Sequence, residues 1–153
     1  MLKIRKAKPE DAASILEITK QAFNKYVKQA GISDTAALHE EVSTVVSDIE
    51  NKIVLVAEYE GKVVGSVRLK LLDSETAYLS RFGVGNEYQK LGIGRELILA
   101  VDEEIKSRNM KRVELHTASR AFSLVRFYYE KGFYIDSTTK DMGYVRALMV
   151  KEY

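Results

Sequence analysis

Apolar residues recur along this chain with two different periods, and each change of period marks a new element. Leu2 to Ala7 alternates Leu2, Ile4 and, more weakly, Ala7 against Lys3, Arg5 and Lys6, which predicts a short edge strand with its basic residues outward. Pro9-Glu10-Asp11 opens a helix. Proline is tolerated in a first turn, the two acids suit the positive helix end, and Ala12, Ile15, Ile18, Ala22 and Phe23 follow at helical spacing until Gly31 closes the run. Ser33-Asp34-Thr35 reads as the capping cluster of a second helix with Leu38, Val42, Val45 and Ile49 on one face, ending at Asn51. Strand-forming residues then take over: Ile53 to Tyr59 and Val63 to Leu72 form a hairpin about Glu60-Gly61-Lys62. After the turn Asp73-Ser74-Glu75, Thr76 to Val84 adds a third strand to an antiparallel meander.

Helical spacing returns in Ile93, Leu97, Val101 and Ile105, widened by Ile98 and Leu99, so a central helix reaching Arg108 packs on the sheet, with Lys106 and Arg108 at its negative end. Val113 to Thr117 is a strand, Ala121 to Lys131 a helix ending at Gly132, and Phe133 to Ile135 and Tyr144 to Val150 are two further strands around a polar loop, Asp136 to Gly143. The strand before the central helix and the one after it make a βαβ unit and should run parallel. The expected fold class is α/β with a mixed, α+β-like sheet, in the order β-α-α-β-β-β-α-β-α-β-β.

The composition changes this picture little and removes several chemistries. The 153 residues, 46% hydrophobic and 30% charged, suit one domain, expected to span residues 1–153 and large enough to bury a core without staples. Zero cysteines remove disulfides, thiolate metal sites and a cysteine nucleophile, and two histidines, His39 and His116, make a histidine-built metal cluster a poor expectation. No metal is expected. With Lys+Arg at 24 against Asp+Glu at 22 the net charge of +2 argues neither for nucleic acid nor for an anionic membrane as partner. Met1 to Pro9 is charged and lacks an apolar core, and no apolar run approaches the roughly 20 residues of a membrane span, so a cytoplasmic protein is expected.

One stretch carries chemistry of its own. Gln89-Lys90-Leu91-Gly92-Ile93-Gly94-Arg95 lies between the strand-like run Leu79 to Val84 and the helical run Glu96 to Arg108. A Gly-x-Gly turn opening a helix exposes backbone N–H groups, the helix dipole adds positive charge there, and Lys90 and Arg95 reinforce it, so a phosphate or pyrophosphate is the natural guest. An ordinary strand-to-helix turn would use the same glycines for geometry alone. A dinucleotide site of the Gly-x-Gly-x-x-Gly type fails on register, because the third glycine position holds Leu97, and no Gly-Lys-Ser/Thr phosphate loop occurs.

The order of elements together with Gln89-x-x-Gly92-x-Gly94 resembles the GNAT superfamily of acyl-CoA-dependent N-acyltransferases, whose pyrophosphate motif is Gln/Arg-x-x-Gly-x-Gly/Ala. A second likeness lies in Phe127-Tyr128-Tyr129-Glu130-Lys131-Gly132-Phe133, since members commonly carry a tyrosine in the place of Tyr128, before a Gly-Phe pair. The resemblance covers essentially the whole chain. It implies the GNAT acyl-CoA N-acyltransferase fold and an acetyl-CoA-dependent N-acetyltransferase, using acetyl-CoA as co-substrate without a metal. The acceptor would be a primary amine on a small molecule, amino acid, peptide or protein.

By the same resemblance, Gln89 belongs to the cofactor site as a motif residue, backbone amides from about Lys90 to Arg95 (Lys90, Leu91, Gly92, Ile93, Gly94 and Arg95) hold the pyrophosphate, and Phe82, Gly83 and Val84 meet the pantetheine arm where the sheet splays. Gly83 and Gly85 fit a close approach or a bulge there. Tyr128 is implied as the general acid, for which an ordinary pKa near 10 keeps it protonated; Tyr129 beside it reads as an aromatic packed on the sheet. Phe23, Tyr26, Tyr78 and Arg81 are candidate acceptor-side residues, with Arg81 a partner for an acceptor carboxylate. Two departures stand out: Ala121 replaces a frequent asparagine, and no general base announces itself, leaving Glu75, His116 or a water. They keep open an alternative, an acyl-CoA-binding sensor or subunit without catalysis. The superfamily often dimerises, so a homodimer is an expectation too.

Overall fold

The computed structural model describes residues 1–153. Seven strands form one sheet: β1 (Leu2–Lys6), β2 (Ile53–Tyr59), β3 (Lys62–Leu71), β4 (Thr76–Val84), β5 (Arg112–Ala118), β6 (Tyr134–Thr139) and β7 (Arg146–Glu152), in the spatial order β1-β2-β3-β4-β5-β7-β6. Helices α1 (Ala12–Ala30) and α2 (Val42–Asn51) cover one face, and α3 (Ile93–Ser107) and α4 (Phe122–Glu130) the other. The alternation within the strands decides this layering. Val54 and Val56 of β2 pack with Ala12, Ile15 and Val45, whereas Leu55, Ala57, Val67 and Leu69 pack with Ile93, Leu97, Val101 and Ile105. No helix is long and apolar enough to cross a membrane.

The element order and the mixed sheet match the expectation, with β4 and β5 the parallel pair. Several local expectations do not hold. The second helix is interrupted: Ala36–His39 is a single 3-10 turn and α2 starts at Val42, because Glu40 and Glu41 are extended (ψ 152 and 167). Glu40 is drawn inward there. Its carboxylate accepts from Arg68 Nη1 and Nη2, both at 2.9 Å, and from Arg81 Nε at 3.0 Å. Arg68 is fully buried and also reaches Asp48 (2.9 Å) and Thr19 Oγ1 (3.2 Å), so the network ties α1, α2, β3 and β4 together. The outward basic face expected for β1 is likewise only partial, since Arg5 turns to Asp11 (2.8 and 3.1 Å) and Glu58. Asp11 in turn accepts from Lys8 N–H at 2.7 Å, closing the helix entry.

Strand β6 continues to Thr139, so half of the expected loop is strand. Its side chains are almost all exposed along the sheet edge and leave no apolar alternation to read. Tyr129 is 50% exposed and does not pack on the sheet. The bulge is also displaced: Ser66 pairs Gly83 and Arg68 pairs Ser80, leaving Arg81 and Phe82 opposite Val67 alone. Arg81 itself takes the left-handed conformation (φ 53), held by Glu40 and by its position 5.8 Å from the Phe23 ring centroid. Gly83 serves another purpose, close approach, because a Cβ there would lie 2.5 Å from the Ala22 Cβ.

Candidate active site

Strands β4 and β5 pair only at Thr76–Arg112, Ala77–Val113 and Tyr78–Glu114. Beyond Tyr78 they part, and the bulge at Arg81-Phe82 bends β4 further, so the edge of β4 from Leu79 to Val84 has no neighbour on the β5 side. A cavity of about 600 Å³ opens in this gap. It reaches from α1 and the acceptor-side candidates through the sheet to the N-terminus of α3 and to α4. Phe82, Gly83, Val84, Gln89, Lys90, Gly92, Ile93, Gly94, Arg95, Phe23, Tyr26, Tyr78, Arg81 and Tyr128 all line it. Leu91 does not; its side chain is 53% exposed and only its backbone belongs to the turn.

At one end lies the glycine turn. Gln89 Nε2 donates to Val84 O (2.8 Å) and ties the turn to the end of β4, while Lys90 (φ 69) and Gly92 (φ 77) adopt left-handed backbone. The first peptide N–H of the helix to find a backbone acceptor is that of Glu96, on Gly92 O at 3.1 Å. The N–H groups from Lys90 to Arg95 have none, so a row of donors backed by the α3 dipole faces the cavity mouth between two cationic side chains. Gly94 keeps the wall thin, since a Cβ there would meet Phe82 Cζ at 3.0 Å.

In the middle stands Tyr128. Its ring is packed by Phe82, Phe127 and Phe133 at centroid distances of 6.0, 5.5 and 5.6 Å. Its hydroxyl has no hydrogen-bond partner in the protein and is not among the sealed polar atoms. Burial pushes its pKa well above the usual tyrosine value, and the hydroxyl stays protonated. Across the gap, alternation places Tyr78 of β4 and His116 of β5 on the α1 side of the sheet, with the Tyr78 hydroxyl 2.7 Å from His116 Nδ1. Burial raises the Tyr78 pKa, while burial and then Arg146 lower that of His116, so the tyrosine donates to a neutral imidazole. Tyr26 completes the floor, its Oη accepting from Ala118 N–H at 2.8 Å and lying 3.4 Å from Tyr144 Oη.

Of the candidates for general base, His116 lies on the wall and Glu75 does not. Glu75 sits in the exposed β3–β4 turn at the opposite end of β4 from the bulge. Arg81 is on the wall, but its charge is already met by Glu40. Ala121 precedes α4 without a side-chain cap and is sealed in a cluster of small residues with Ala30 and Ala118. Tyr144, Arg146, Met142 and Lys25 also line the cavity and were not anticipated. Three of them cluster in or just after a loop with no periodicity, so only the return of β7 against β5 brings them here.

Comparison with known proteins adds to this geometry. Residues 14–133 match the profile described as Acetyltransferase (GNAT) family. No curated protein matches the sequence. Among solved structures, PaiA N-acetyltransferase from Thermoplasma acidophilum in complex with coenzyme A superposes with a TM-score of 0.84 at 23% identity, covering 100% of this chain and 99% of its own. The ribosomal-protein-S18-alanine N-acetyltransferase of Escherichia coli gives 0.78 at 19% identity, with 99% and 94% covered. A GNAT family acetyltransferase from Elizabethkingia anophelis with acetyl-CoA bound gives 0.70 at 16%, with 99% and 98% covered.

Proposed function

The chain belongs to the GNAT acetyltransferase family, and from that premise we propose that it is an acetyl-CoA-dependent N-acetyltransferase, one domain over residues 1–153, acting on a primary amine. The observation that carries the reading is the continuity of the cavity from the unpaired amides of Lys90–Arg95, along the free edge of β4, to the unpartnered hydroxyl of Tyr128. This fits the cofactor. The amide row with Lys90 and Arg95 would hold a diphosphate, and the backbone of Phe82, Gly83 and Val84 would meet an extended amide arm as a missing strand would. Relatives of the same fold solved with coenzyme A and with acetyl-CoA support it.

Acetyl-CoA, when bound, supplies an activated thioester whose acetyl group an amine can take directly. The protein's part is positioning, water exclusion and proton management. The stacked rings of Phe82 and Phe127 (5.4 Å) with Tyr128 form an apolar wall, which keeps water from competing as nucleophile. Tyr128 holds a proton at Oη across the ordinary pH range and offers it as general acid from an atom with no other hydrogen-bond obligation. The attacking amine must shed a proton, and neutral His116, reached through the Tyr78 hydroxyl, accepts it: Tyr78 passes its proton to His116 Nδ1 as it takes one from the amine.

The test is to incubate the purified protein with acetyl-CoA and a panel of primary amines while following free-thiol release and the mass of the acceptor. Thiol release that depends on the amine, with a gain of one acetyl group, supports the reading. Coenzyme A binding with no transfer to any amine would favour the non-catalytic sensor, and failure to bind coenzyme A at all would overturn both.

A further inference from the structure

The charges on the cavity wall are of one sign. Lys25, Arg81, Lys90, Arg95 and Arg146 line it, and no aspartate or glutamate does. Their obligations differ. Lys90 and Arg95 flank the amide row at the α3 end, and Arg81 is answered from behind the wall by Glu40, whose side chain is only 7% exposed. Arg146 stands on β7 on the same face as His116, where alternation and the β5–β7 register place it, opposite Ala118. Its side chain is 15% exposed, and Nη2 alone is engaged, at 3.1 Å from both oxygens of Asp141. Asp141 is 57% exposed at the loop before β7, and such an exposed partner contributes little. Arg146 Nε is buried with no partner at all. A guanidinium fixed on a strand, mostly desolvated and weakly countered, beside the proton-accepting pair, is a receptor for a planar anion. Phe23, Tyr26, Tyr144 and Met142, aromatic or apolar, line the same cavity.

We propose that the acceptor is a primary amine that carries its own carboxylate, of the free amino-acid type, and that Arg146 binds that carboxylate while the amine faces Tyr78. This rests on the acetyltransferase reading and narrows its substrate. A diamine or polyamine brings a second positive charge into a wall with no carboxylate to receive it, which a cationic pocket excludes.

The experiment compares matched acceptors: phenylalanine, phenylalaninamide and 2-phenylethylamine, the same comparison for alanine, alaninamide and ethylamine, and putrescine as a dication. In the wild type kcat/KM for the acids should exceed that for the amides and decarboxylated amines by roughly tenfold to a hundredfold, the range of a charge-assisted contact. Arg146→Gln should bring that ratio toward one, Arg146→Lys should restore part of it, and Asp141→Asn, which frees the guanidinium, should lower KM for the acids. Calorimetric titration of N-acetylphenylalanine against N-acetylphenylalaninamide, into protein loaded with coenzyme A, reads the same preference without turnover. Should Arg146→Gln fail to fold, the wild-type ratio and Asp141→Asn still decide. Amides, decarboxylated amines or putrescine acetylated as well as the acids, or a ratio unchanged in Arg146→Gln, would overturn the proposal and leave the acetyltransferase reading standing. Absence of thiol release with every one of these amines would remove both together.

Discussion

Replacing Tyr128 by phenylalanine removes one oxygen atom and nothing else. The ring keeps its contacts with Phe82, Phe127 and Phe133, and because the hydroxyl has no hydrogen-bond partner, no donor or acceptor is orphaned by its loss. Stability should therefore move by less than about 0.5 kcal/mol. Truncation to alanine, by contrast, would open a void among three aromatic rings at a cost of about 3–5 kcal/mol. If Tyr128 Oη is the general acid, its loss should slow the transfer step by about 10²–10⁴-fold, or roughly 3–5 kcal/mol of barrier. Coenzyme A affinity should stay as it is, since the amide row and the β4 edge are untouched. The assay is single-turnover thiol release with enzyme in excess, so that a slow product-release step cannot hide the change, together with coenzyme A titration and a thermal melt of the same preparation. An unchanged single-turnover rate in Tyr128→Phe, with wild-type melting and binding, would refute the assignment and leave Tyr128 as packing.

Three further outcomes follow from the geometry. The rate should have an acidic limb below about 6.5, because His116 accepts a proton only while neutral and its pKa is lowered by burial and by Arg146, with Asp141 and Glu114 opposing. Tyr128, raised by burial, sets no basic limb below about 10. A kcat/KM profile of His116→Asn that keeps the same acidic limb would contradict this. Gly83→Ala would set two Cβ atoms 2.5 Å apart at Ala22 and should lose about 1–3 kcal/mol in chemical denaturation. Adding Ala22→Gly should recover part of it in a double-mutant cycle. Glu40→Gln leaves Asp48 as the one carboxylate on the buried Arg68 guanidinium and should cost about 3 kcal/mol in the same assay, while removing the charge that holds Arg81.

The sequence was most legible where structure is local. The meander strands, most positions of the helix faces and the closing glycines Gly31 and Gly132 follow from periodicity and backbone conformation over a few residues and stand where expected, whereas Val42 and Leu99, expected on packed faces, are 45% and 40% exposed. The glycine turn was legible for the same reason at Gly92, which acts through its own left-handed backbone, whereas Gly94 is required by the Phe82 ring packed against it. The interrupted second helix was not, because the reason for the break is the ion pair of Glu40 with Arg68 and Arg81, far off in the chain. The length of β6 was hidden by its solvent-facing side chains, and the position of the bulge by a non-glycine residue, Arg81, in left-handed backbone.

The order of elements and the glycine turn that opens the central helix were thus written in the chain, since each rests on spacing between near neighbours. The active-site geometry is of another kind. The parting of β4 from β5 after Tyr78, the meeting of Tyr78 with His116, and the arrival of Arg146 from β7 all depend on strand register between distant segments. Register is set by the packed sheet as a whole, and a shift of one residue would turn these side chains to the opposite face. That is why the glycine-turn end of the cavity could be read along the chain, whereas the end lined by Tyr78, His116 and Arg146 took its charge and shape only when the strands were assembled.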